Sequence, residues 1–292
     1  MLGIDPDPCA LWPELDAPPT AELTPQEAAA AAVLSHCRAL IDATAEACVA
    51  VKLQLARFEA LGAPGWTVLG RLAGHAREAG LLVIADAKRG DIDVSASAYA
   101  AALFDGLDSP FGHLDGLRAD LVTVNPLMGR DAVEPFVQAA RRSGAGVLLL
   151  VRTSNPGAAD IQDLELAGDR APVWERLAAI VDQLGSAGIG SAGLSDVGAV
   201  VGATGPGHLQ RARELMASAV FLLPGIGAQG GRVEDLAPAF APGPAGGLVS
   251  ASRSIVGAYR VAGGEPAQAA RAEALRLRAA AWELSTRLAP AG

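Results

Sequence analysis

The chain is short of positive charge, and it carries a net charge of −9 over its 292 residues. Since non-specific binding to nucleic acid requires a basic face, this balance argues against a nucleic-acid partner. No uncharged apolar run approaches the roughly 18 residues that a membrane-crossing helix needs. The first residues, Met-Leu-Gly-Ile-Asp-Pro, show neither the basic start nor the apolar stretch of a signal peptide. We therefore expect a soluble, cytoplasmic protein with no membrane partner.

Cysteine and histidine are also scarce. The three cysteines, Cys9, Cys37 and Cys48, form no CxxC pair and leave an odd one over, which suits a reducing compartment. The four histidines show no metal-ligand spacing. The sequence therefore predicts no structural metal site.

Lysine is nearly absent. Of the 23 basic residues, only Lys52 and Lys88 are lysines, and the others are arginines. Codon bias in a GC-rich genome explains an excess of arginine, but not the two positions at which lysine is kept. Arginine stays protonated at any working pH, whereas lysine can give up a proton. These two lysines are therefore candidates for a site at which a proton must move.

Short apolar segments alternate with helical patterns along the chain. The eight predicted strands are Leu2–Asp5, Cys48–Gln54, Leu81–Asp86, Leu121–Val124, Gly146–Val151, Val197–Gly202, Val220–Leu223 and Gly247–Ser250. One helix is predicted to start at Thr24, where threonine can cap, Pro25 fits the first turn and Glu27 completes a capping box. Other helices are predicted over 65–79, 92–104, 131–143, 172–187, 207–216, 231–240 and 266–288.

Eight strand–helix pairs indicate parallel strands with helical crossovers. They favour the α/β class and a closed (β/α)8 barrel, with an open doubly wound sheet as the alternative. We expect one domain over residues 1–289, a frayed tail over 290–292, and a long surface connection over 105–120. The first strand begins almost at Met1, so either the chain start is misassigned or this strand lacks the leading segment that usually covers the barrel floor.

Polar residues follow the strands at their C-terminal ends, which meet on one face of a barrel, where active sites of this fold lie. Charges are densest in the stretch DAKRGD at 86–91, directly after an apolar strand. Because side chains alternate along a strand, Asp86 and Lys88 should point to the same side. Gly90 would allow a sharp turn, and Asp91 would open the next helix. The pattern predicts a carboxylate and an ammonium group together in the barrel mouth.

The last two strands are followed by residues that suit an anion. The stretch PGIG at 224–227 offers backbone N–H groups that a ligand can approach closely, and Arg253 lies in the loop after the eighth strand. Arginine can bind phosphate oxygens through two parallel hydrogen bonds, and phosphate sites at this place recur in barrels. We therefore predict a phosphate site at this part of the mouth.

These motifs resemble those of the orotidine 5′-phosphate decarboxylase family. The stretch DAKRGDI at 86–92 is similar to the family signature D-x-K-x-x-D-I, and the likeness extends over most of the chain. The other matching stretches are GIDPDP (3–8), AVKLQ (50–54), TSNPGA (153–158), VGAVVGAT (197–204), PGIGAQGG (224–231) and ASRSI (251–255). Several of them resemble the form often called type 2, which is found in actinobacteria and related groups.

The resemblance implies a homodimeric barrel without cofactor or metal, a carboxy-lyase that converts orotidine monophosphate to UMP and CO2 in pyrimidine biosynthesis. The family's alternating Lys–Asp–Lys–Asp array would here be Lys52, Asp86, Lys88 and Asp91, with Asp91 and Ile92 acting in the neighbouring subunit's site. Further substrate contacts are expected from Asp5 at the ribose, from Thr123 and Asn125, from Thr153 or Ser154 at the pyrimidine edge, and from Pro224, Gly225, Gly227, Gln229 and Arg253 over the base and phosphate.

In this reaction Lys88 would meet the negative charge that forms on the ring carbon and would then donate a proton. Asp86 would lie beside the departing carboxylate, and would act either by repulsion or by orienting Lys88. Two other functions stay open at this point. One is a metal-dependent decarboxylase of sugar-acid phosphates on the same scaffold, which added Mg²⁺ would reveal. The other is a nucleotide-binding barrel that has lost its chemistry, which would bind nucleotide without releasing CO2.

Overall fold

The eight predicted strands form one parallel sheet. The computed structural model describes residues 1–13, 23–168, 170–203, 206–226 and 230–287. The sheet strands are β1 (Leu2–Ile4), β2 (Ala50–Gln54), β3 (Leu82–Arg89), β6 (Leu121–Val124), β7 (Gly146–Arg152), β8 (Val197–Val201), β9 (Phe221–Leu223) and β10 (Gly247–Val249). They are hydrogen-bonded in that order, each parallel to the next. All eight strands predicted from the sequence are therefore confirmed.

The sheet closes on itself after β10. Leu2 pairs in parallel with Ala251, and the backbone N–H of Gly3 donates to the Ala251 carbonyl at 2.8 Å. The first and last strands are thus joined, which confirms the (β/α)8 barrel and makes the alternative of an open doubly wound sheet wrong.

Helices lie between and after the strands, and seven of them lie where the sequence patterns predict an α-helix; the short helices Leu55–Glu59, Arg253–Val256 and Tyr259–Ala262 lie outside the predicted ranges. They are α1 (Pro25–Thr44), α2 (Leu55–Glu59), α3 (Ala63–Glu78), α4 (Asp93–Leu103), α5 (Arg130–Arg142), α6 (Val173–Gly185), α7 (Pro206–Leu215), α8 (Arg253–Val256), α9 (Tyr259–Ala262) and α10 (Pro266–Arg287). The predicted capping box is present, since the side chains of Thr24 and Glu27 each accept a hydrogen bond from the other's backbone N–H. Short 3-10 helices occur at Ala45–Ala47, Pro156–Asp160, Ser186–Gly188 and Pro244–Gly246.

Two of the predicted segments take a different type of secondary structure. The segment predicted as an α-helix over 231–240 is a 3-10 helix, Val233–Phe240, with Pro238 inside it. Pro238 has no N–H to donate to a helical hydrogen bond, so it interrupts the bonding pattern near the end of this segment. The connection over 105–120 contains an antiparallel hairpin, formed by β4 (Leu107–Ser109) and β5 (Gly112–Leu114). It is therefore a two-stranded element and not a plain surface loop.

The barrel interior changes from apolar to charged along its axis. Its apolar layer is built from one buried residue on each of five strands, Ala50, Ile84, Leu148, Val200 and Leu222. Side chains alternate along a strand, so the next inward positions on β2 and β3 are Lys52 and Asp86. Both are buried. The strand period thus places an ion pair at the C-terminal end of an otherwise apolar barrel.

A buried Trp–His pair ties the loop after β1 to the end of the barrel. The Trp12 backbone N–H donates to Nδ1 of His36 at 3.2 Å, and the Trp12 indole N–H donates to the Val256 carbonyl at 2.9 Å. The two rings meet edge to face, with centroids 5.1 Å apart. Burial lowers the pKa of His36 to about 4. Helix α1, the loop that carries Asp5, and helix α8 behind Arg253 are thereby linked.

A buried arginine joins several backbone segments near the last strands. Arg213 on α7 donates to six carbonyl groups, those of Met216, Ala217, Ala219, Pro238, Ala239 and Gly246. Its guanidinium carbon lies 3.8 Å from the centre of the Phe221 ring. Burial lowers the pKa of Arg213 to about 10, because removal from water disfavours the charged form, and the six carbonyl groups offset part of that cost.

Candidate active site

Three of the four predicted catalytic charges meet at the barrel mouth. Lys52 Nζ lies 2.6 Å from Asp86 Oδ2, and Lys88 Nζ lies 2.5 Å from Asp86 Oδ1. The Asp86 carboxylate is therefore bridged by two ammonium groups, one on each oxygen. The Lys88 side chain is 45% exposed and that of Lys52 is 9% exposed, so Lys88 is the cation that a ligand in the mouth can reach.

Two neutral donors complete the surroundings of Asp86. Gln54 Nε2 donates to Oδ2 at 3.1 Å, and the Thr123 hydroxyl donates to Oδ1 at 3.0 Å. Gln54 was not among the predicted site residues. Its signal in the sequence is the strand period, since it follows Lys52 by two positions on β2.

The charge of Asp86 is set by two opposing effects. Burial would raise its pKa, but attraction to Lys52 and Lys88, together with their hydrogen bonds, lowers the pKa below its ordinary value. Asp86 is therefore ionised at neutral pH although only 5% of the residue is exposed. A buried carboxylate held this way is a fixed charge that needs no reorganisation during a reaction.

Strand β3 does not end at Asp86 as predicted, but continues to Arg89 through a bulge. Ala85 pairs with Val122 and Arg89 pairs with Val124, so residues 86–88 together lie opposite Thr123. Lys88 has a φ of 47°, in the left-handed region that costs an L-residue about 1 kcal/mol. The Lys88 backbone N–H is held there by the Thr123 hydroxyl at 2.9 Å. The predicted proximity of Asp86 and Lys88 is correct, but it arises from this bulge and not from simple alternation.

Gly90 serves a different purpose from the predicted sharp turn. It does not have a positive φ, but a Cβ at this position would lie 2.9 Å from the Asn125 carbonyl oxygen. The loop after β3 can therefore pack closely on the loop after β6 only with glycine here. Asn125 itself accepts a hydrogen bond on Oδ1 from the Leu127 N–H at 3.1 Å, which shapes that second loop.

Asp91 and Ile92 lie outside the array of their own chain. Helix α4 begins at Asp93 with Ile92 as its cap, so Asp91 precedes the helix and does not open it as predicted. Asp91 Oδ1 accepts the Ile92 backbone N–H at 2.8 Å. Within the described part of the chain, Asp91 forms no ion pair with Lys52 or Lys88. Ile92 is 55% exposed.

Asp5 faces the array from the end of β1. Its Oδ1 atom lies 3.8 Å from Lys52 Nζ. That oxygen is buried and has no hydrogen-bond partner among the described residues. A buried carboxylate oxygen without a donor is costly unless a ligand supplies one.

The loop after β7 is tied to itself. The side chains of Thr153 and Gln162 hydrogen-bond each other, and the Thr153 N–H donates to Gln162 Oε1 at 2.8 Å. Arg152 binds both carboxylate oxygens of Asp163 at 2.8 Å. Ser154 packs against Gly202, where an added Cβ would lie 2.9 Å from the Ser154 Cα. These contacts hold the loop in one position at the rim of the mouth.

The predicted phosphate residues lie after the last two strands. Pro224 and Gly225 follow β9, and Gly225 has a φ of 104° that glycine permits. Arg253 is exposed at the start of α8, and it has no ion-pair partner in the described part of the chain. Gly227 and Gln229 lie outside the described residues.

Two further findings concern the whole of the described chain. Within those ranges, no group of three or more His, Cys, Asp or Glu side chains is placed to hold a metal ion. Among the described residues, no helix is both long enough and apolar enough to cross a membrane.

A charged cluster at the C-terminal end of the strands of a (β/α)8 barrel defines a barrel enzyme, because active sites of this fold occupy that face. The family model described as "Orotidine 5′-phosphate decarboxylase / HUMPS family" matches residues 24–272. The chain belongs to this family.

Relatives of known name agree with that assignment. An orotidine 5′-phosphate decarboxylase of Deinococcus radiodurans is 46% identical over 241 residues, which cover 82% of this chain and 81% of the relative. One of Rhodopirellula baltica is 41% identical over 238 residues, 80% of this chain and 76% of the relative. The solved structure of Leishmania donovani OMP decarboxylase superposes with a TM-score of 0.70 at 31% identity, covering 96% of this chain and 93% of that one.

Proposed function

We propose that the protein removes CO2 from orotidine 5′-monophosphate and releases UMP, as its named relatives indicate. The observation that carries the proposal is the bridged carboxylate, in which Asp86 holds Lys88 at 2.5 Å while the Lys88 side chain stays open to the mouth. Breaking the bond to the departing carboxylate leaves an electron pair on the ring carbon. A fixed ammonium group at that position stabilises the negative charge.

Lys88 is proposed to complete the reaction as the proton donor. As the C–C bond breaks, CO2 departs and its bonding electrons stay on the ring carbon. That carbon then takes a proton from the Lys88 ammonium, which forms the C–H bond of UMP, and the neutral amine regains a proton from solvent. An arginine could not readily perform this step, because it does not lose its proton at working pH.

Ribose and phosphate contacts are proposed for the residues around the array. The buried Asp5 Oδ1 lacks a donor in the described chain, and a ribose hydroxyl would supply one. Arg253 has no acidic partner there and lies on the side of the mouth where phosphate binds in this fold. We extend the same proposal to Pro224, Gly225, Gly227 and Gln229. Binding energy from these remote groups would hold the pyrimidine over Lys88.

Lys88→Ala tests the proton-donor role. We expect turnover of orotidine monophosphate to fall by at least on the order of a thousandfold, with the affinity for UMP nearly unchanged. The decrease in absorbance of the substrate measures turnover, and calorimetry measures UMP binding. Arg71→Ala removes an exposed cation from the middle of α3 and serves as the control. Full activity of Lys88→Ala would refute the role.

A homodimer is proposed to complete the site. Exposed apolar side chains lie on and beside the loops after β3 and β6, which are neighbours in the sheet. Ile92, Leu127 and Met128 are on these loops, and Val94 is in the first turn of α4. Clustered exposed apolar residues mark a contact surface. Asp91 lies in the loop after β3 and forms no ion pair with Lys52 or Lys88 of its own chain. This is the placement expected of a residue that acts in the site of a second copy.

Mixing two inactive variants tests this dimer. Lys88→Ala and Asp91→Ala each remove one contribution, and only a mixed dimer contains one intact site. Random exchange of subunits makes half of the dimers mixed, so an equal mixture should recover about a quarter of the wild-type rate. The two variants are measured separately as controls. A mixture with no activity above theirs, after subunit exchange is shown by mass, would contradict sharing of Asp91.

We also propose a cytoplasmic location. All three cysteines lie in the described part of the chain and are free, with Cys37 buried and Cys9 exposed. Unpaired thiols are typical of a reducing compartment.

A further inference from the structure

One hydroxyl group on β6 contacts both components of the Asp86–Lys88 pair. The Thr123 Oγ1 atom accepts the backbone N–H of Lys88 at 2.9 Å and donates to Asp86 Oδ1 at 3.0 Å. Because the N–H can only donate and the ionised carboxylate can only accept, the direction of both bonds is unambiguous. The hydroxyl thus donates its proton to the Asp86 carboxylate and accepts the Lys88 backbone N–H on a lone pair.

The register of the sheet explains why a residue on β6 can do this. The bulge in β3 places three residues, 86–88, opposite Thr123 alone. A side chain at the centre of that bulge is within reach of both of its ends. Lys88 is also the point of backbone strain, with its φ of 47°. The Thr123 hydroxyl therefore supports the one residue in the bulge whose conformation is unfavourable by itself.

The exposure of Thr123 argues against a direct role at the substrate. The residue is 0% exposed, whereas the Lys88 side chain above it is 45% exposed. Its hydroxyl is already committed to two partners within the protein. The sequence analysis placed Thr123 among the substrate-binding residues, but the geometry favours a place beneath them.

We infer that Thr123 is a positioning residue that sets the Lys88 ammonium and the Asp86 carboxylate for the reaction. The expected effect on kcat rests on the proposed decarboxylation, whereas the expected displacement of the Lys88 ammonium does not. Without the hydroxyl, Lys88 loses the anchor of its left-handed backbone and Asp86 loses one of four donors. The ammonium group would then occupy a range of positions and not one.

Thr123→Val is the central variant, because it replaces the hydroxyl by a methyl group of similar size. We expect kcat to fall on the order of 10- to 100-fold, as for the loss of a hydrogen bond to a charged group, with KM and UMP affinity changed by less than about twofold. Thr123→Ser restores the hydroxyl and should return kcat to within a few-fold of wild type. A rise in KM at constant kcat would show that Thr123 binds substrate and would overturn the inference, as would failure of serine to restore kcat.

Thr44→Val is the matched control. Thr44 is also 0% exposed, and its hydroxyl donates to the Leu40 carbonyl at 2.8 Å within α1, away from the mouth. We expect it to lower stability without lowering kcat. An equal loss of kcat in both variants would show that Thr123 acts only through the stability of the fold, and would overturn the inference.

A second measurement does not depend on turnover. The chain has only two lysines, Lys52 and Lys88, so ¹³C-labelling of lysine side chains gives two resonances that the Lys88→Ala variant assigns. We expect the Lys88 resonance to shift in Thr123→Val, to return in Thr123→Ser, and to stay in place in Thr44→Val. An unmoved resonance would overturn the inference.

If Thr123→Val does not fold, the serine variant and Thr123→Cys, whose thiol is a weak donor, supply the same comparison. Loss of the proposed function is separately visible, since wild-type protein would then fail to release CO2.

Discussion

The Trp12–His36 pair makes the stability of the protein depend on pH in a defined direction. His36 is only 3% exposed, and its Nδ1 accepts the Trp12 backbone N–H, so the folded protein requires the neutral ring. Burial lowers the pKa of His36 from 6.5 to about 4. Between these two values the unfolded chain binds a proton that the folded protein does not. Stability from this residue is therefore fully present above pH 6.5 and is lost as pH falls towards 4.

The size of the effect follows from the two pKa values. Protonation of the unfolded chain at pH 5 costs the folded state about 2 kcal/mol relative to pH 7, and the loss approaches about 3 kcal/mol at pH 4. His36→Gln keeps an acceptor for the Trp12 N–H but cannot titrate. The variant should therefore lose about 2 kcal/mol less stability than wild type between pH 7 and pH 5.

Urea unfolding followed by tryptophan fluorescence at the two pH values measures the difference. The matched control is His208→Gln, because His208 also meets a tryptophan ring, Trp174, with centroids 5.7 Å apart, but is only partly buried. It should show the wild-type pH dependence. If His36→Gln loses as much stability as wild type on acidification, the reasoning from burial is wrong.

Two further predictions concern packing. Arg213→Met should lower the free energy of unfolding by about 3 kcal/mol, because it leaves six carbonyl groups without their shared donor. Urea unfolding measures the change, and an unchanged midpoint would show that these hydrogen bonds contribute nothing. Gly90→Ala should lower kcat by on the order of tenfold or more, because its Cβ would lie 2.9 Å from the Asn125 carbonyl oxygen and displace the loop that follows Lys88. Gly70→Ala on α3, where an added Cβ meets open space, is the control, and equal rates in both variants would contradict the argument.

Much of the barrel could be predicted because its signals are local. An apolar run bounded by polar residues marks each strand, and the prediction of β6 as Leu121–Val124 is correct to the residue. The hairpin of β4 and β5 was missed because its residues are exposed, so no apolar run marks it. The 3-10 helix at Val233–Phe240 has the apolar spacing of an α-helix, so its tighter winding could not be predicted from the residue pattern.

The site was predicted from residue types, and its supporting geometry was not. Two lysines and an aspartate in an apolar context marked the ion pairs of Lys52, Asp86 and Lys88. The bulge opposite Thr123 could not be foreseen, because it depends on the register between strands 35 residues apart in sequence. Gln54 was overlooked for a related reason, since an amide becomes significant only when the partner strand brings a carboxylate to it.

The scarcity of lysine also affects how the protein can be handled. Apart from the chain terminus, its only primary amines are those of Lys52 and Lys88, and only the latter is substantially open to solvent. Reagents that acylate or methylate amines modify lysines on the outer surface of most proteins. In this protein they would react mainly with Lys88, in the mouth of the barrel. On the proposed mechanism, amine coupling to a sensor chip, a dye or a resin through Lys88 would inactivate the molecules it attaches, whereas the arginines of the outer surface would stay unmodified.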